Sequence, residues 1–514
     1  MNYRLIIRQL GLLVLVLSAV LFCIWIWSAI AISFSDSAVF SLLWSTCASV
    51  ILGLVLFLFG NRNKCQHGTG VMGRREALLL VSSCWFVGAL VATLPFLIWA
   101  RGTSEGNHPF RSFVNCFFEA MSGLTTTGAT ILSDVATVPT PLLFWRSMIQ
   151  WLGGLGIVVL FVAVLPSLGA GGKKLFRVEA PGPDPEGVRP HIRETARILW
   201  LIYVCLTAVE IVAYWLAGMS LFDASNHALT TLATGGFSTQ NASIGSYNSR
   251  VINVITIIFM VLAGANFGLY YAAVKGKLKV IWSDVEFRFY LFLLTAGSII
   301  VIFSLLGSGQ PLISTTGATE PLSVGDAVTQ GVFEVVSQQT TTGYATADFN
   351  TWPFVAKAVI IMLMFIGGCA GSTGGGIKVI RIWIAFKVML GELERSFRPN
   401  VVRPLKVGKS AIDPELKLAT IAYVLGVLVL FAVGSGSIML FESGNPECTI
   451  TTAATASVAT ICTVGPGLAK VGAIENYGWF TDASKLLLCV LMAIGRLEVF
   501  AVLVLITPKF WRST

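Results

Sequence analysis

TTTGAT (Thr125–Thr130), ATGGFS (Ala233–Ser238), TTTGYA (Thr340–Ala345) and TVGPG (Thr463–Gly467) recur along this chain of 514 residues. Each follows a short helix-like run and precedes a long apolar stretch. The last departs at one position from TVGYG, the loop whose backbone carbonyls replace the hydration shell of potassium. Four such loops in one polypeptide are what a single-chain pore with fourfold pseudo-symmetry needs. A lone TTTG would be an ordinary turn; four at one place in four repeats are not.

Composition sets the surroundings of these loops. The chain is 55% hydrophobic and 12% charged, with a mean hydropathy of +0.79. Soluble domains carry about 25% charged residues. The expected class is an all-α polytopic membrane protein. The net charge of +9 therefore reads as a matter of membrane orientation and not of nucleic acid. Ten cysteines show no CxxC and no metal-ligand spacing with histidine, so they read as small core residues. Arg4 and Arg8 precede an apolar run too long for a signal peptide, which reads as a retained membrane helix.

Ten apolar runs are long enough to span a bilayer, near 10–32, 38–60, 77–99, 142–166, 196–218, 251–274, 287–306, 354–385, 418–441 and 480–507. Four shorter segments, 112–124, 223–233, 325–338 and 448–460, end at the Gly/Thr loops and read as re-entrant half-helices. Each repeat is then span, half-helix, loop, span. The division is an extra helix pair (1–75) followed by repeats at 76–195, 196–285, 286–416 and 417–514. Lys and Arg alternate strongly in number between the two sides. Starting inside, 27 of 35 fall in the N-terminus, 61–75, 167–197, 275–288, 377–417 and the C-terminal tail. That bias puts both termini in the cytoplasm and all four loops on the outer side. Repeats sharing one orientation differ from the inverted repeats of many carriers.

The repeats align on Thr126-Thr127-Gly128, Ala233-Thr234-Gly235, Thr341-Thr342-Gly343 and Thr463-Val464-Gly465, with glycine spacings of 107, 108 and 122. Glycine is needed there because carbonyls of consecutive residues point inward only if the backbone alternates in hand. Potassium held at these residues is the expected bound species and the expected cargo. Only the fourth loop keeps a second glycine in register (Gly467); Thr130, Phe237 and Ala345 stand there in the others, so a shorter filter with less strict exclusion of sodium is expected. Glu119 and Glu334 lie nine residues before their glycines, matched by Asn226 and Ala456, and read as carboxylates bonded to nearby backbone.

The eighth run contains GGCAGSTGGG, with Gly367, Gly368, Gly371, Gly374, Gly375 and Gly376. Each glycine in a helix costs about 1 kcal/mol relative to Ala, so this stretch reads as a break and a movable constriction. It is not a phosphate loop, because Ile377 stands where the lysine belongs, and no nucleotide is expected on this chain. Arg496 lies in the middle of the last apolar run. A charge there costs about 3 kcal/mol or more unless it meets water or a partner, so it reads as facing the pore and bonding carbonyls of the glycine-rich break. Lys378 reads as an ordinary charge at the cytoplasmic end of its span.

FFEAMSGLTTTGAT (Phe117–Thr130), LATGGFST (Leu232–Thr239), AGANFG (Ala263–Gly268), TTTGYAT (Thr340–Thr346), GGCAGSTGGGIKVIR (Gly367–Arg381) and TVGPG together resemble the bacterial Trk potassium-uptake family, the membrane subunits of Trk and Ktr systems. The likeness covers essentially the whole chain, and the extra helix pair resembles the Trk type. The resemblance implies potassium uptake across the bacterial inner membrane and a homodimer with one pore per subunit. It implies a gate made of Gly367–Gly376 and Arg496, and a cytoplasmic nucleotide-binding regulatory subunit. The basic loops 167–195 and 386–416 suit such a partner or anionic lipid equally. The competing function is a potassium symporter coupled to protons or sodium, for which Glu210 and Glu498 are the few acids within spans. An enzyme is not expected, since no nucleophile–base or metal-ligand constellation is present.

Overall fold

The computed structural model describes residues 1–34, 36–61, 73–103, 106–164, 192–399, 406–408 and 410–512. The basic stretches 62–72 and 165–191, and with them most of the loop 167–195 and part of 386–416, lie outside the described residues. The chain is a polytopic membrane protein built almost wholly of helices. Helix is the expected outcome for such apolar runs, because lipid offers no partner to a free N–H or C=O.

The added pair is α1 (Tyr3–Ala31) and α2 (Ser37–Asn61). The first unit is α3 (Arg74–Gly102), the half-helix α4 (Phe113–Leu124) and α5 (Thr140–Val164). The second is α6 (Ile192–Leu216), α7 (Leu221–Leu232) and the pair α8 (Arg250–Gly264) and α9 (Phe267–Val274). The third is α10 (Val285–Ser308), α11 (Val324–Gln339), α12 (Phe354–Phe365) and α13 (Val379–Phe397). The fourth is α14 (Pro414–Phe441), α15 (Ile450–Ile461), α16 (Asp482–Arg496) and α17 (Phe500–Ile506). The half-helices α4, α7, α11 and α15 have 12 to 16 residues. At 1.5 Å per residue they reach roughly 18–24 Å, short of a bilayer core of about 30 Å.

Three of the ten expected spans are not continuous. The run 251–274 bends by 93° between α8 and α9. The run 354–385 stops at Phe365 and resumes at Val379, where the glycines predicted a break. The run 480–507 stops at Arg496 and resumes at Phe500. The first two breaks satisfy one another: Cys369 N–H donates to the Gly264 carbonyl (2.8 Å) and Phe267 N–H to that of Gly371 (3.1 Å). Asn266 caps α9 by accepting from Gly268 N–H at 2.7 Å. Non-helical backbone thus sits at membrane depth because protein covers it.

Large apolar side chains such as Val16, Phe22, Ile51 and Leu58 point outward, while Ser18, Ser41, Ser45 and Ser49 are buried. That reversal is the membrane pattern, in which small residues let helices approach. Ser18 and Ser49 hydroxyls meet at 2.8 Å between α1 and α2. A Cβ at Gly11 would stand 2.6 Å from Phe57 N, and one at Gly60 would stand 2.6 Å from Arg8 N. The backbone itself is the obstacle, so a side chain must push the two helices apart. Gly11→Leu is expected to destabilise the chain by about 1–3 kcal/mol, the usual range for overpacking. A lower melting temperature in detergent, with ion selectivity unchanged because the pair lies outside the four units, is the result to look for.

Candidate functional site: a ring of four turns above a glycine-rich loop

Each half-helix hands its chain to a Gly/Thr turn in the same way. The residue five after the closing carbonyl donates to it: Thr127 N–H to Ser122 (2.8 Å), Gly235 to Thr230 (2.8 Å), Thr342 to Ser337 (2.9 Å) and Val464 to Ala459 (2.8 Å). The residue before each donor is a threonine with left-handed backbone: Thr126 (φ 55°), Thr234 (52°), Thr341 (59°) and Thr463 (52°). The residue after each donor is a left-handed glycine: Gly128 (82°), Gly236 (75°), Gly343 (78°) and Gly465 (101°). Non-glycine residues in this region cost about 1–3 kcal/mol each and persist only where the surroundings impose them.

This geometry corrects the register of the second turn. Its structural glycine is Gly236, not Gly235, and the aligned trio is Thr234-Gly235-Gly236, so Ala233 matches Thr125. The spacings become 108, 107 and 122, and Ser238 takes the later position read as Phe237. Two adjacent glycines hid the slip, since either can take the left-handed conformation.

The turns converge on one axis. The open Cα face of Gly128 lies against the Gly235 carbonyl, that of Gly236 against the Thr342 carbonyl, and that of Gly343 against the Val464 carbonyl. A Cβ at Gly465 would stand 2.7 Å from the Thr127 carbonyl, which closes the circle. The facing carbonyl always belongs to the residue just before the next structural glycine. Below them the hydroxyls of Thr126 and Thr463 are buried without a partner among the described residues.

A second circle of bonds closes outside the first. Val135 N–H donates to Asn241 (2.6 Å), Gly245 N–H to the Ala345 carbonyl (3.3 Å), Ala469 N–H to Asn350 (2.7 Å) and Tyr477 N–H to the Thr130 carbonyl (2.8 Å). These link units one to two, two to three, three to four and four to one.

Behind each turn a half-helix side chain holds the departing strand. Glu119 accepts from Ile131 N–H (2.9 Å) and Thr130 Oγ1 (2.9 Å), and Glu334 accepts from Thr346 N–H (2.8 Å), so both carboxylates bond nearby backbone as expected. In the fourth unit Thr455 Oγ1 accepts from Leu468 N–H at 3.0 Å. In the second, the corrected register replaces Asn226 by His227, whose Nε2 meets Ser238 Oγ at 2.9 Å. Arg146, which the sequence counted as an outer charge, is buried on α5. Its Nε donates to Glu119 (2.6 Å) and its Nη1 to the Ser238 carbonyl (3.0 Å), with the guanidinium 3.5 Å over the Phe237 ring.

Directly beneath the ring lies the loop between α12 and α13. Its stem is closed by Gly367 N–H to the Ile377 carbonyl (3.0 Å) and Ile377 N–H to that of Phe365 (2.9 Å). Gly371 (φ 72°) and Gly376 (φ 64°) need glycine for their backbone. Gly367, Gly368 and Gly375 need it for space, and Gly374 has little to spare. A Cβ on Gly367 would meet the Gly375 carbonyl, one on Gly375 the Thr463 hydroxyl, and those on Gly368 and Gly374 other backbone. Gly375 N–H donates to Thr341 Oγ1 (2.7 Å), and Thr373 Oγ1 donates to the Leu232 carbonyl (2.9 Å). The loop therefore touches three of the four turns or their helix ends.

Arg496 reaches the loop as the sequence predicts. Its Nη1 donates to the Thr373 carbonyl (2.8 Å) and its Nη2 to that of Gly153 on α5 (3.0 Å), which joins the loop to the remaining unit. Glu498 and Val499, just beyond, have left-handed φ of 55° and 62°, and Phe500 N–H bonds the Glu498 carbonyl at 2.6 Å. A β-branched residue there is an outlier, so this break is strained. Glu498 pairs with Arg381 on α13 at 2.7 Å. Lys378 departs from its reading as an ordinary charge at the cytoplasmic end of its span: it is buried, and its Nζ donates to the Gly374 carbonyl. Glu286 on α10 accepts from Ala370 (2.7 Å) and Ile380 (3.1 Å), gripping the loop and the start of α13 together. Nothing in the residues around Glu286 signals that role.

Comparison with known proteins agrees with this architecture. The model of the TrkH family, described as a cation transport protein, matches residues 60–513. The chain is 38% identical over 523 residues to the Trk system potassium uptake protein TrkH of Escherichia coli (strain K12), with both chains covered in full. It is 38% identical over 517 residues to the TrkH of Vibrio parahaemolyticus, again in full. The crystal structure of the potassium transporter TrkH from Vibrio parahaemolyticus superimposes with a TM-score of 0.84 at 35% identity, covering all of both chains. With a family model spanning most of its length and full-length relatives at this identity, the chain belongs to the TrkH family of cation transport proteins.

Proposed function

We propose that this chain takes up potassium across the bacterial inner membrane through a gated pore. The filter would be the carbonyls around Thr126-Thr127-Gly128, Thr234-Gly235-Gly236, Thr341-Thr342-Gly343 and Thr463-Val464-Gly465. The observation that carries this reading is the closed cycle of glycine faces against neighbouring carbonyls. Such a cycle fixes the spacing of four oxygens about one axis, and oxygens so held replace the water that a potassium ion sheds. The half-helices aim their C-terminal, partly negative ends at the same place, which favours a cation.

The loop Gly367–Gly376 and Arg496 form the gate in this reading. The loop fills the axis just inside the threonine ring and is bonded to it through Gly375 and Thr341. Arg496 adds a positive charge on the path and pins the loop to α5. Opening requires those carbonyl bonds to break. A force applied from the cytoplasm would supply this, consistent with a nucleotide-binding regulatory subunit docked on the inner face and with a second copy as dimer partner. Both termini then lie in the cytoplasm. The relatives' printed names, potassium uptake protein and potassium transporter, support the choice of cargo.

Coupled symport remains the second reading, favoured by Glu210. It is an acid buried on α6 beside the hydroxyls of Tyr214 and Thr231. Purified chain in liposomes separates the two: a reversal potential that follows the potassium gradient alone supports the pore, and one that shifts with an imposed proton or sodium gradient supports symport. Gly343→Ser places a side chain against the Val464 carbonyl. It is expected to lower potassium-over-sodium selectivity several-fold, measured from bi-ionic potentials. Arg496→Ala is expected to raise basal rubidium flux several-fold without a regulatory partner; a folded variant with unaltered or reduced flux contradicts the gating role.

A further inference from the structure

The second turn is held differently from its three sisters. At the position before the structural glycine the others carry Thr127, Thr342 and Val464, and the second carries Gly235. The two threonines tie their hydroxyls back to their own half-helix ends, Thr127 to Thr125 and Thr342 to Thr340, each at 2.8 Å. Gly235 has no side chain to do so, and it is followed at once by Gly236. Two glycines in succession make this the loosest stretch of the ring by backbone entropy.

Its support comes from another unit. Gln150 is fully buried on α5, one helical turn beyond Arg146. Its Nε2 donates to the Gly235 carbonyl (2.7 Å) and its Oε1 accepts from Phe237 N–H (3.1 Å). These backbone groups lie on either side of Gly236. A carbonyl has two lone pairs, so the Gly235 oxygen can serve Gln150 and the axis together. Glycine at 235 is not required by the backbone, because its φ lies outside the left-handed region. It is required by space: a Cβ there would run into Gln150 Cδ and stand 2.8 Å from Nε2. The carboxamide occupies the slot that the threonine or valine side chain fills in the other turns.

We infer that Gln150 is a specificity-determining positioning residue, which replaces from the neighbouring unit the side chain missing at Gly235 and holds the second turn at the radius of the ring. The inference rests on the filter reading above. A carbonyl free to move inward follows a smaller ion, so loss of this support lets sodium be wrapped as well as potassium. Packing alone would not produce that result, because leucine fills the same slot without the two hydrogen bonds.

The test is the potassium-over-sodium permeability ratio of the full chain in liposomes, with melting temperature in detergent as a fold control. Gln150→Leu is expected to lower the ratio several-fold and, because it leaves the Phe237 N–H unpaired, to lower the melting temperature modestly while unfolding stays a single cooperative transition. Gln150→Ala is expected to do the same, and adding Gly235→Thr to it should restore the ratio, since the slot is now empty and the turn gains the residue found in the first and third turns. Gly235→Thr alone should collide with Gln150 and perform worst. An unchanged ratio in Gln150→Leu, together with a lowered one in Gly343→Ser, overturns the role of Gln150 and leaves the filter reading standing. An unchanged ratio in both overturns the filter reading itself. Should Gln150→Leu fail to fold, the double variant decides: a ratio no better than that of Gln150→Ala alone overturns the inference.

Discussion

A bare glycine Cα pressed against a neighbour's carbonyl, repeated at Gly128, Gly236, Gly343 and Gly465, is the constraint from which the rest of the molecule follows. No side chain fits between adjacent turns, so each glycine face lies directly against its neighbour's carbonyl oxygen. Closeness alone would leave four polar strands stranded in a membrane. The half-helices answer this by accepting at least two turn N–H groups each, and Glu119, His227, Glu334 and Thr455 answer it behind the turns. Buried polar groups are tolerated where partners are provided, and here two units provide a carboxylate, one a histidine and one a threonine.

The same rule accounts for the three broken helices. Breaks at Gly264–Phe267, Phe365–Val379 and Arg496–Phe500 leave free backbone groups below the ring. The glycine-rich loop takes up those of the first break, Glu286 takes up the N–H of Ala370 within the loop and of Ile380 just after it, and Arg496 binds its Thr373 carbonyl. α5 of the first unit stays unbroken and serves as the post. Arg146, Gln150 and Gly153 along it hold, in turn, the outer end of the second turn, its centre, and the arginine beneath. The loop itself is held by these hydrogen bonds together with the burial of Cys369, Ala370 and Ile377.

Much of this is legible in the sequence, because the chemistry forces rare residues into fixed places. Carbonyl cages demand glycine at set intervals, and the four turns were visible for that reason. A run with six glycines cannot stay helical, and Arg496 in an apolar run must find partners; both expectations match the structure. The register of ATGG was not legible, since adjacent glycines are equivalent in sequence and Asn226 is as polar as His227. The bend at Ala265–Asn266 and the break at Glu498–Val499 lie in apolar runs with weak punctuation. Val499 in a left-handed conformation is something no propensity predicts. Gln150 and Glu286 were invisible because their roles depend on contacts across units, and a glutamine or glutamate in a helix gives no sign of the backbone it grips.

Anomalous diffraction from crystals grown with rubidium or thallium in place of potassium tests the central claim most directly. The account predicts anomalous peaks on one axis, between the carbonyls of Thr127, Gly235, Thr342 and Val464. Crystals that diffract well and show no peak inside that ring, or that place the ion elsewhere in the membrane, would contradict it.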